Sequence, residues 1–380
     1  MTKRLLCFLL LLCCSFSGCA GRNVEEELLV IVLAIDRAES GNVTVAVKVP
    51  ANASAAGAEN GAGDSQGQSG YMQLEATGHS FTDAVSMLNA TTPRRLNFSQ
   101  VREVVIGDEA ARRRDFATLL TQIDALPRFR CSAAVIICRG SALQFAENQK
   151  PIVGMRLSRY AENTLANYAG KGFTPNTDLC AGRRDLDGGF RDPLFILGDV
   201  NDFSGADEPS PDNSLSAEAG DLPRRSIEAV EMFGAAATDG VSVCGYLTGY
   251  EMALLHLIEG HVEALTVRVD GVPLHVTASG PAALSVDVSR SPAVLRVDLR
   301  CEAKYPQGSE VDENNLQTLL ERDIFALIAH LQALRCDGVG FGQIAVRRFL
   351  TVQDWEAFGW REVYTAAQAQ VRVTVQLRGS

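Results

Sequence analysis

Hydrophobic and polar residues divide the first half of the chain into short apolar runs and stretches with helical spacing. Residues 28–35 and 43–49 are apolar, β-branched runs separated by a polar turn, a pattern that predicts a hairpin. Apolar residues three and four positions apart after Ser80 predict a helix. Further predicted elements are strands over 72–77, 101–107 and 133–138 and helices over 116–126 and 155–168.

The second half shows a different pattern, in which apolar and polar residues alternate. Four alternating runs between 262 and 304 predict an antiparallel sheet with one buried face. Before them, a hairpin is predicted around Asp239-Gly240, followed by a helix over 251–258. After them, an apolar stripe predicts one long helix, and the alternating residues 371–377 predict a last strand. The stripe consists of Leu316, Leu319, Leu320, Ile324, Leu327, Ile328 and Leu331.

These elements predict an α+β protein, because helices and strands mix without regular βαβ alternation. A chain of 380 residues suggests two or three domains. We expect three mixed domains with largely antiparallel sheets flanked by helices, and a long helix and a terminal strand in the last one. The predicted divisions are a signal peptide over 1–18, an N-terminal domain over 19–184 with a flexible insertion at 51–70, a low-complexity linker over 185–225, a small middle domain over 226–261 and a C-terminal domain over 262–380.

The first residues have the layout of an export signal. Lys3 and Arg4 precede a run of twelve mostly apolar residues, too short to span a bilayer, which needs about 20. Ser17 and Gly18 then place two small residues before Cys19, the pattern that a lipoprotein signal peptidase recognises. We therefore predict cleavage before Cys19 and lipid on its thiol. An ordinary secretory signal cut near Ala20 and an uncleaved apolar anchor are the alternatives.

Composition excludes one class of partner. The formal net charge is −11 and no basic cluster is present, which argues against binding to nucleic acid because phosphate contacts need Lys and Arg on one face. The six cysteines after Cys19 lack CxxC spacing, so a zinc knuckle is not expected. We interpret them as buried free thiols, with disulfide pairing left open in an exported protein. They are Cys131, Cys138, Cys180, Cys244, Cys301 and Cys336.

Motifs that would indicate catalysis or metal binding are missing or broken. His256-Leu-Ile-Glu259-Gly-His261 nearly matches a zinc motif, but five residues separate the imidazoles by about 140° around a helix. Asp185-Leu-Asp187-Gly-Gly resembles the start of a calcium loop, yet Ile196 stands where a bidentate Glu is required. No P-loop, nucleophile elbow or dinucleotide fingerprint appears. The sequence therefore predicts no catalytic residue, no cofactor and no metal.

The order of these elements resembles the Ger(x)C family of spore germination lipoproteins, the C subunits of nutrient germinant receptors. The most specific match is the segment Cys336-Asp337-Gly-Val-Gly340-Phe341-Gly342 followed by Trp355 and Trp360. We expect the glycines there to make a tight reversal with positive φ and both tryptophans to pack in the core. Other matching stretches are Gly18-Cys19, residues 28–36, 75–84 and 101–109, and the hairpin over 234–248.

The resemblance implies a non-enzymatic receptor subunit. Its partners would be integral membrane subunits of the A and B types and the membrane lipid, reached through acyl chains such as palmitate on Cys19. It would lie on the outer face of the spore inner membrane or cell membrane.

The insertion at 51–70 and the linker after 185 are longer than we expect for a member of this family. An exported substrate-binding lipoprotein of an uptake system is the alternative, although such proteins usually have two lobes of repeated βαβ units. The only support for a third assignment, a hydrolase of the cell envelope, is the broken histidine motif.

Overall fold

The structure is a computed structural model that describes residues 26–51, 71–151, 155–204, 215–261, 264–308 and 311–379. The predicted signal peptide, Cys19 and all but the first residue of the 51–70 insertion lie outside these ranges. In the described ranges, none of the helices combines the length and the apolar character needed to cross a bilayer.

Strands and helices alternate irregularly along the chain. The strands are β1 Glu27–Leu29, β2 Val32–Arg37, β3 Val43–Pro50, β4 Tyr71–Gly78, β5 Arg95–Asn97, β6 Glu103–Gly107, β7 Ala134–Cys138, β8 Leu194–Val200, β9 Val230–Thr238, β10 Val243–Leu247, β11 Leu265–Val269, β12 Val272–Ala278, β13 Ala283–Asp287, β14 Val294–Tyr305 and β15 Gln368–Gly379. The helices are α1 Phe81–Thr91, α2 Asp108–Ala111, α3 Phe116–Asp124, α4 Ala142–Asn148, α5 Leu157–Lys171, α6 Leu179–Gly188, α7 Gly249–Glu259, α8 Glu313–Ala333, α9 Phe341–Ala345, α10 Val352–Phe358 and α11 Trp360–Ala366. The predicted α+β class is confirmed.

Eight strands form the larger sheet in the order β10-β9-β8-β7-β6-β2-β3-β4. Its centre, β2-β6-β7-β8, is parallel, and the strands on either side are antiparallel. This parallel centre differs from the largely antiparallel sheets expected from the sequence. Parallel neighbours need crossover connections, and α2 and α3 join β6 to β7 while α4, α5 and α6 join β7 to β8. Apolar residues on the two faces of the sheet pack into two separate cores.

Part of the predicted linker over 185–225 is regular structure. Residues 185–188 are the last residues of α6, and residues 194–200 are β8, which pairs with β7 on one side and β9 on the other. The expectation of a structureless linker is therefore wrong there. Glycines and aspartates at 185–189 dominated the composition and hid the apolar run Leu194-Phe195-Ile196-Leu197 that follows. The calcium-like aspartates lie at the end of α6. The division into domains itself stays a prediction.

The second sheet contains β11 to β15 and follows the alternation of the sequence. The four runs form antiparallel pairs β11-β12, β12-β14 and β13-β14, and β15 joins β14 in parallel. The predicted long helix is α8, whose apolar stripe is buried against the inward face of this sheet. Strand β14 alternates buried and more exposed residues along most of its length, so the opposite face of the sheet meets solvent.

The six cysteines of the described residues divide into one bridge and four free thiols. Cys131 and Cys180 form a disulfide with their Cα atoms 5.3 Å apart, so the interpretation as free thiols is wrong for these two. The start of α6 runs beside the segment before β7, where Leu179 N donates to Ala133 O, and this contact brings the two cysteines together. A separation of 49 residues in the sequence hides that proximity. Of the other four, Cys138, Cys301 and Cys336 are buried and Cys244 is half-buried.

Candidate functional site

Cys19, the one site residue predicted from the sequence, lies outside the described residues. The lipid attachment therefore stays a prediction. The segment that carried the family resemblance, Cys336 to Gly342 with Trp355 and Trp360, is described, and it forms a buried, hydrogen-bonded polar structure in the C-terminal half.

Asp337 organises the turn after α8. Its Oδ1 accepts hydrogen bonds from the backbone N–H groups of Gly340 and Phe341, at 3.0 and 2.9 Å. Its Oδ2 accepts from the N–H of Gly342 at 2.6 Å and from the indole Nε1 of Trp360 at 3.0 Å. The carboxylate thus satisfies N–H groups in the first turn of α9, which have no partner inside the helix. Burial raises the pKa of Asp337 to about 6, and the hydrogen bonds from Gly342 and Trp360 oppose that rise.

The three glycines of this turn have different roles. The reversal uses positive φ, as expected, but among the three glycines only Gly340 adopts it, at +91°. A Cβ on Gly342 would lie 2.5 Å from Phe190 O and 2.7 Å from the Trp360 indole nitrogen, so this position has no room for a side chain. A Cβ on Gly338 would lie 3.2 Å from methyl carbons of a leucine in β8. Close packing explains two of the glycines, and backbone conformation explains one.

Both tryptophans pack in the core, as predicted. Trp355 and Trp360 are buried, with ring centroids 5.8 Å apart in a stacked arrangement. Phe190, Phe349 and Phe358 surround Trp355 at centroid distances of 5.9, 5.5 and 6.2 Å. Phe190 comes from the segment before β8, so this aromatic group joins the two halves of the chain.

Asp192 provides a second buried carboxylate at the same junction. Its Oδ2 accepts from the backbone N–H of Asp337 at 2.7 Å, and Arg361 donates to Oδ1 and Oδ2 at 2.7 and 3.0 Å. A two-point pair between guanidinium and carboxylate fixes orientation as well as distance. Asp192 is 5% exposed, and removing either partner would leave the other charge poorly solvated.

Arg191 extends the junction to the end of α7. Its Nε donates to Gly338 O at 3.0 Å, and a terminal nitrogen donates to Glu259 Oε1 at 2.7 Å. Residues 190–192 therefore contact the Asp337 turn, the tryptophans and α7 at once. We name this set of contacts, centred on Asp192 and Asp337, the junction.

The hydrogen bonds and the ion pair of the junction have a structural role. All the N–H donors around Asp337 already bond to its two oxygens, and Arg361 occupies both oxygens of Asp192. Such an arrangement stabilises one geometry of the backbone, and it presents no activated nucleophile.

His256 and His261, near the end of α7, lie closer together than predicted from the sequence. The prediction placed the two imidazoles about 140° apart around a helix that continued past Gly260. The helix instead ends at Glu259, because Gly260 adopts the left-handed conformation with φ +74° and reverses the chain. One ligand atom each of His256, Glu259 and His261 then lies within 4.8 Å of the others. The geometric ground for excluding a shared metal is therefore wrong.

Glu259 is the central group of this cluster. Its Oε2 lies 3.2 Å from His256 Nδ1 and 3.8 Å from His261 Nδ1, and Arg191 binds its other oxygen. Burial raises the pKa of Glu259, but His256 and the Arg191 guanidinium outweigh it and lower that pKa to about 2. The carboxylate is thus ionised at neutral pH.

Comparison with known families decides the assignment of the chain. A family model for the spore germination protein N-terminal domain matches residues 21–194. A second, for the spore germination B3/GerAC-like C-terminal region, matches residues 234–380. The chain belongs to the GerAC-like family of spore germination proteins. The resemblance inferred from the sequence is confirmed.

Relatives of this GerAC-like chain span nearly its whole length. The putative spore germination protein YfkR of Bacillus subtilis (strain 168) is 19% identical over 379 residues, which cover 95% of this chain and 92% of that protein. Among solved structures, a crystal structure of the GerBC protein shares 13% sequence identity and has a TM-score of 0.49. That similarity covers 91% of this chain and 96% of the GerBC chain.

In this GerAC-like chain one side of the junction could be recognised from the sequence, and the other could not. Asp337, the glycines and the tryptophans were singled out. Asp192 and Arg191 were assigned to the linker, although Phe190-Arg191-Asp192 stands directly before an apolar run. The available signal was that Arg191 and Asp192 stand directly before an apolar run long enough to form a buried strand.

Proposed function

We propose that this chain is the lipid-anchored C-type subunit of a nutrient germinant receptor. Two integral membrane subunits, of the A and B types, would be its partners, and the chain would serve receptor assembly and signalling without catalysing a reaction. The observation that carries the proposal is the match of both family models, which together include most of the chain.

The N-terminal sequence supports the anchoring step. An apolar run, two small residues and Cys19 follow one another in the order of a lipoprotein signal. Two or more acyl chains hold a protein on a bilayer stably, because each buried CH₂ contributes about 0.8 kcal/mol. Confinement at the membrane raises the effective concentration of the chain near membrane partners without any new contact. This places the proposed site of action on the outer face of the spore inner membrane.

The junction supports a role in signalling. Asp192 and Arg361 are 169 residues apart in the sequence, and their pairing links the segment before β8 to α11. A displacement of the C-terminal half by a partner would therefore act on the larger sheet, whose first strands follow the proposed anchor. The uptake-protein alternative has no comparable support, since the C-terminal sheet is mostly antiparallel and lacks repeated βαβ units.

The anchoring step is tested by Cys19→Ala in the native spore. We expect loss of fatty-acyl labelling, loss of the chain from the membrane fraction and severely impaired germination with nutrients. Germination by a trigger that bypasses nutrient receptors should be unchanged. Cys14→Ala is the matched control, because Cys14 lies inside the apolar run and should tolerate the change.

Two outcomes would contradict the proposal. Normal nutrient germination with a released Cys19→Ala chain would remove the anchoring role. Failure of the membrane-anchored chain to co-purify with two polytopic membrane proteins from detergent-solubilised spores would remove the receptor role.

A further inference from the structure

The end of α7 presents three metal-binding side chains to one point. One ligand atom from each of His256, Glu259 and His261 lies within 4.8 Å of the others, and Nδ1 of both histidines faces Glu259 Oε2. The N–O distances of 3.2 and 3.8 Å are informative, because two ligands bound to one Zn²⁺ at about 2.0–2.2 Å with tetrahedral angles lie roughly 3.3–3.5 Å apart.

The hydrogen bond on the far side of His256 fixes which nitrogen faces the cluster. Nε2 lies 3.0 Å from the carbonyl oxygen of Thr174, so Nε2 carries a proton and donates it. In the neutral imidazole Nδ1 is then a lone pair, and it is buried without a hydrogen-bond partner in the described part of the chain. A lone pair facing a carboxylate oxygen is repulsive, so Nδ1 is either protonated, with the imidazolium paired to Glu259, or bound to a cation that replaces that proton. Metal-bound histidines show this same arrangement, with the second nitrogen donating to a carbonyl or carboxylate.

The neighbouring contacts leave one oxygen of Glu259 available. Arg191 binds Oε1 at 2.7 Å, while Oε2 points toward both histidines. The side chain of His256 is 12% exposed and that of His261 is 72% exposed. His261 can therefore rotate by a small amount to complete the site, and solvent can supply a further ligand from the same side.

We infer that His256, Glu259 and His261 form a binding site for a divalent transition-metal ion, with water as the remaining ligand. Two imidazoles and one carboxylate are a ligand set that suits zinc and its neighbours in the first row. The left-handed Gly260 is part of the site, since it turns His261 back onto Glu259. This inference is independent of the receptor assignment, because it uses none of the residues proposed for anchoring.

The test is a titration of the full chain in detergent with Zn²⁺ after removal of metal by a chelator. We expect one equivalent to bind per chain. His261→Gln should weaken the binding by about tenfold or more, because a ligand is lost from an exposed position that tolerates the change. His275→Gln is the matched control, since His275 is exposed on β12, its Nδ1 bonds to Thr266 Oγ1 and it is not part of the three-residue cluster.

Co²⁺ as a second probe distinguishes this site from the free cysteines. We expect the visible absorption of a nitrogen- and oxygen-bound Co²⁺ ion without a thiolate charge-transfer band, and loss of that absorption in His261→Gln. Absence of Zn²⁺ binding in the wild-type chain, equal affinities of the two histidine variants, or a thiolate band would each overturn the inference.

Discussion

The two largest sheets in the described part of the chain, of eight and five strands, bury their residues in different ways. Strand β6 of the larger sheet is buried at all five positions, and four of the six residues of β2 are buried. Two separate cores lie against the two faces of that sheet. In the C-terminal sheet, β14 and β15 alternate, with α8 covering one face and solvent on the other.

This difference determines where polar groups are found. On the C-terminal sheet, charged residues such as Arg300 and Arg372 are exposed on the open face. In the larger sheet, Lys48 and Glu103 are both buried on the strands that flank β2, where they have no access to water. Lys48 donates to two carbonyl groups at the end of α4, and Glu103 accepts from Gln149 at 2.6 Å. A sheet covered on both faces must satisfy its charges internally, whereas one with an open face leaves them to solvent.

Replacing Phe195 should give the largest effect, because it lies in β8 at the centre of the two-sided sheet. Its side chain is fully buried and packs edge-to-face on Phe116 with centroids 5.8 Å apart. We expect Phe195→Ala to lower the free energy of unfolding by about 3–5 kcal/mol. Urea denaturation followed by circular dichroism measures this change.

Phe325→Ala is the matched control on the outer side of α8, where Phe325 is 50% exposed. We expect a change of about 0.5 kcal/mol or less in either direction. Equal losses in the two variants would mean that the contrast between the sheets does not control stability.

The same contrast explains how far the sequence could predict the fold. Alternation revealed β11 to β15, because a strand with one buried face has a period of two that can be read locally, and an apolar stripe at helical spacing revealed α8. Strand β8 was missed, although Leu194 to Leu197 are apolar, because a strand buried on both faces has no period and its glycine-rich approach resembled a linker. Its pairing with β7 depends on a crossover and its antiparallel pairing with β9 on the segment between residues 200 and 230, and no local pattern specifies either.

The candidate sites show the same limit. Asp337 with its glycines could be recognised because one short segment contains the turn. Asp192 and the Cys131–Cys180 bridge depend on contacts between distant segments. The histidine cluster was excluded by continuing a helix that Gly260 ends, even though the glycine was the visible signal for that end.

Glu103 should give the next largest effect, as a dependence of stability on pH. Burial raises its pKa to about 7, against the hydrogen bond from Gln149 and the charge of Lys48. A carboxyl group with a raised folded-state pKa binds more protons when folded, so its stabilisation is complete below about pH 4.5 and is lost as pH rises through about 7. Relative to Glu103→Gln, wild-type stability should therefore fall by up to about 3 kcal/mol across that window.

Urea denaturation of both chains at several pH values between these limits measures the difference. Glutamine at position 103 keeps the size of the side chain and cannot titrate, so the difference isolates the carboxyl group. A difference that does not change with pH would show that Glu103 is not the buried titrating group, and the contrast in how the two sheets treat charge would weaken.

Asp337→Asn should give the smallest effect of the three, at the junction where the two regions meet. One oxygen remains to accept from Gly340 and Phe341, but the new amide N–H₂ would face the donors of Gly342 and Trp360. We expect the free energy of unfolding to fall by about 2 kcal/mol, since buried donors without acceptors cost about 1–3 kcal/mol.

Trp355 and Trp360 are the only tryptophans, so fluorescence during denaturation reports this region directly. The control is Asp354→Asn at an exposed position of α10, where asparagine keeps an oxygen to accept from Thr351 Oγ1 and a change within about 0.5 kcal/mol is expected. Equal transitions for the two variants would mean that the Asp337 carboxylate does not fasten the turn, and that aromatic packing alone holds the C-terminal half to the larger sheet.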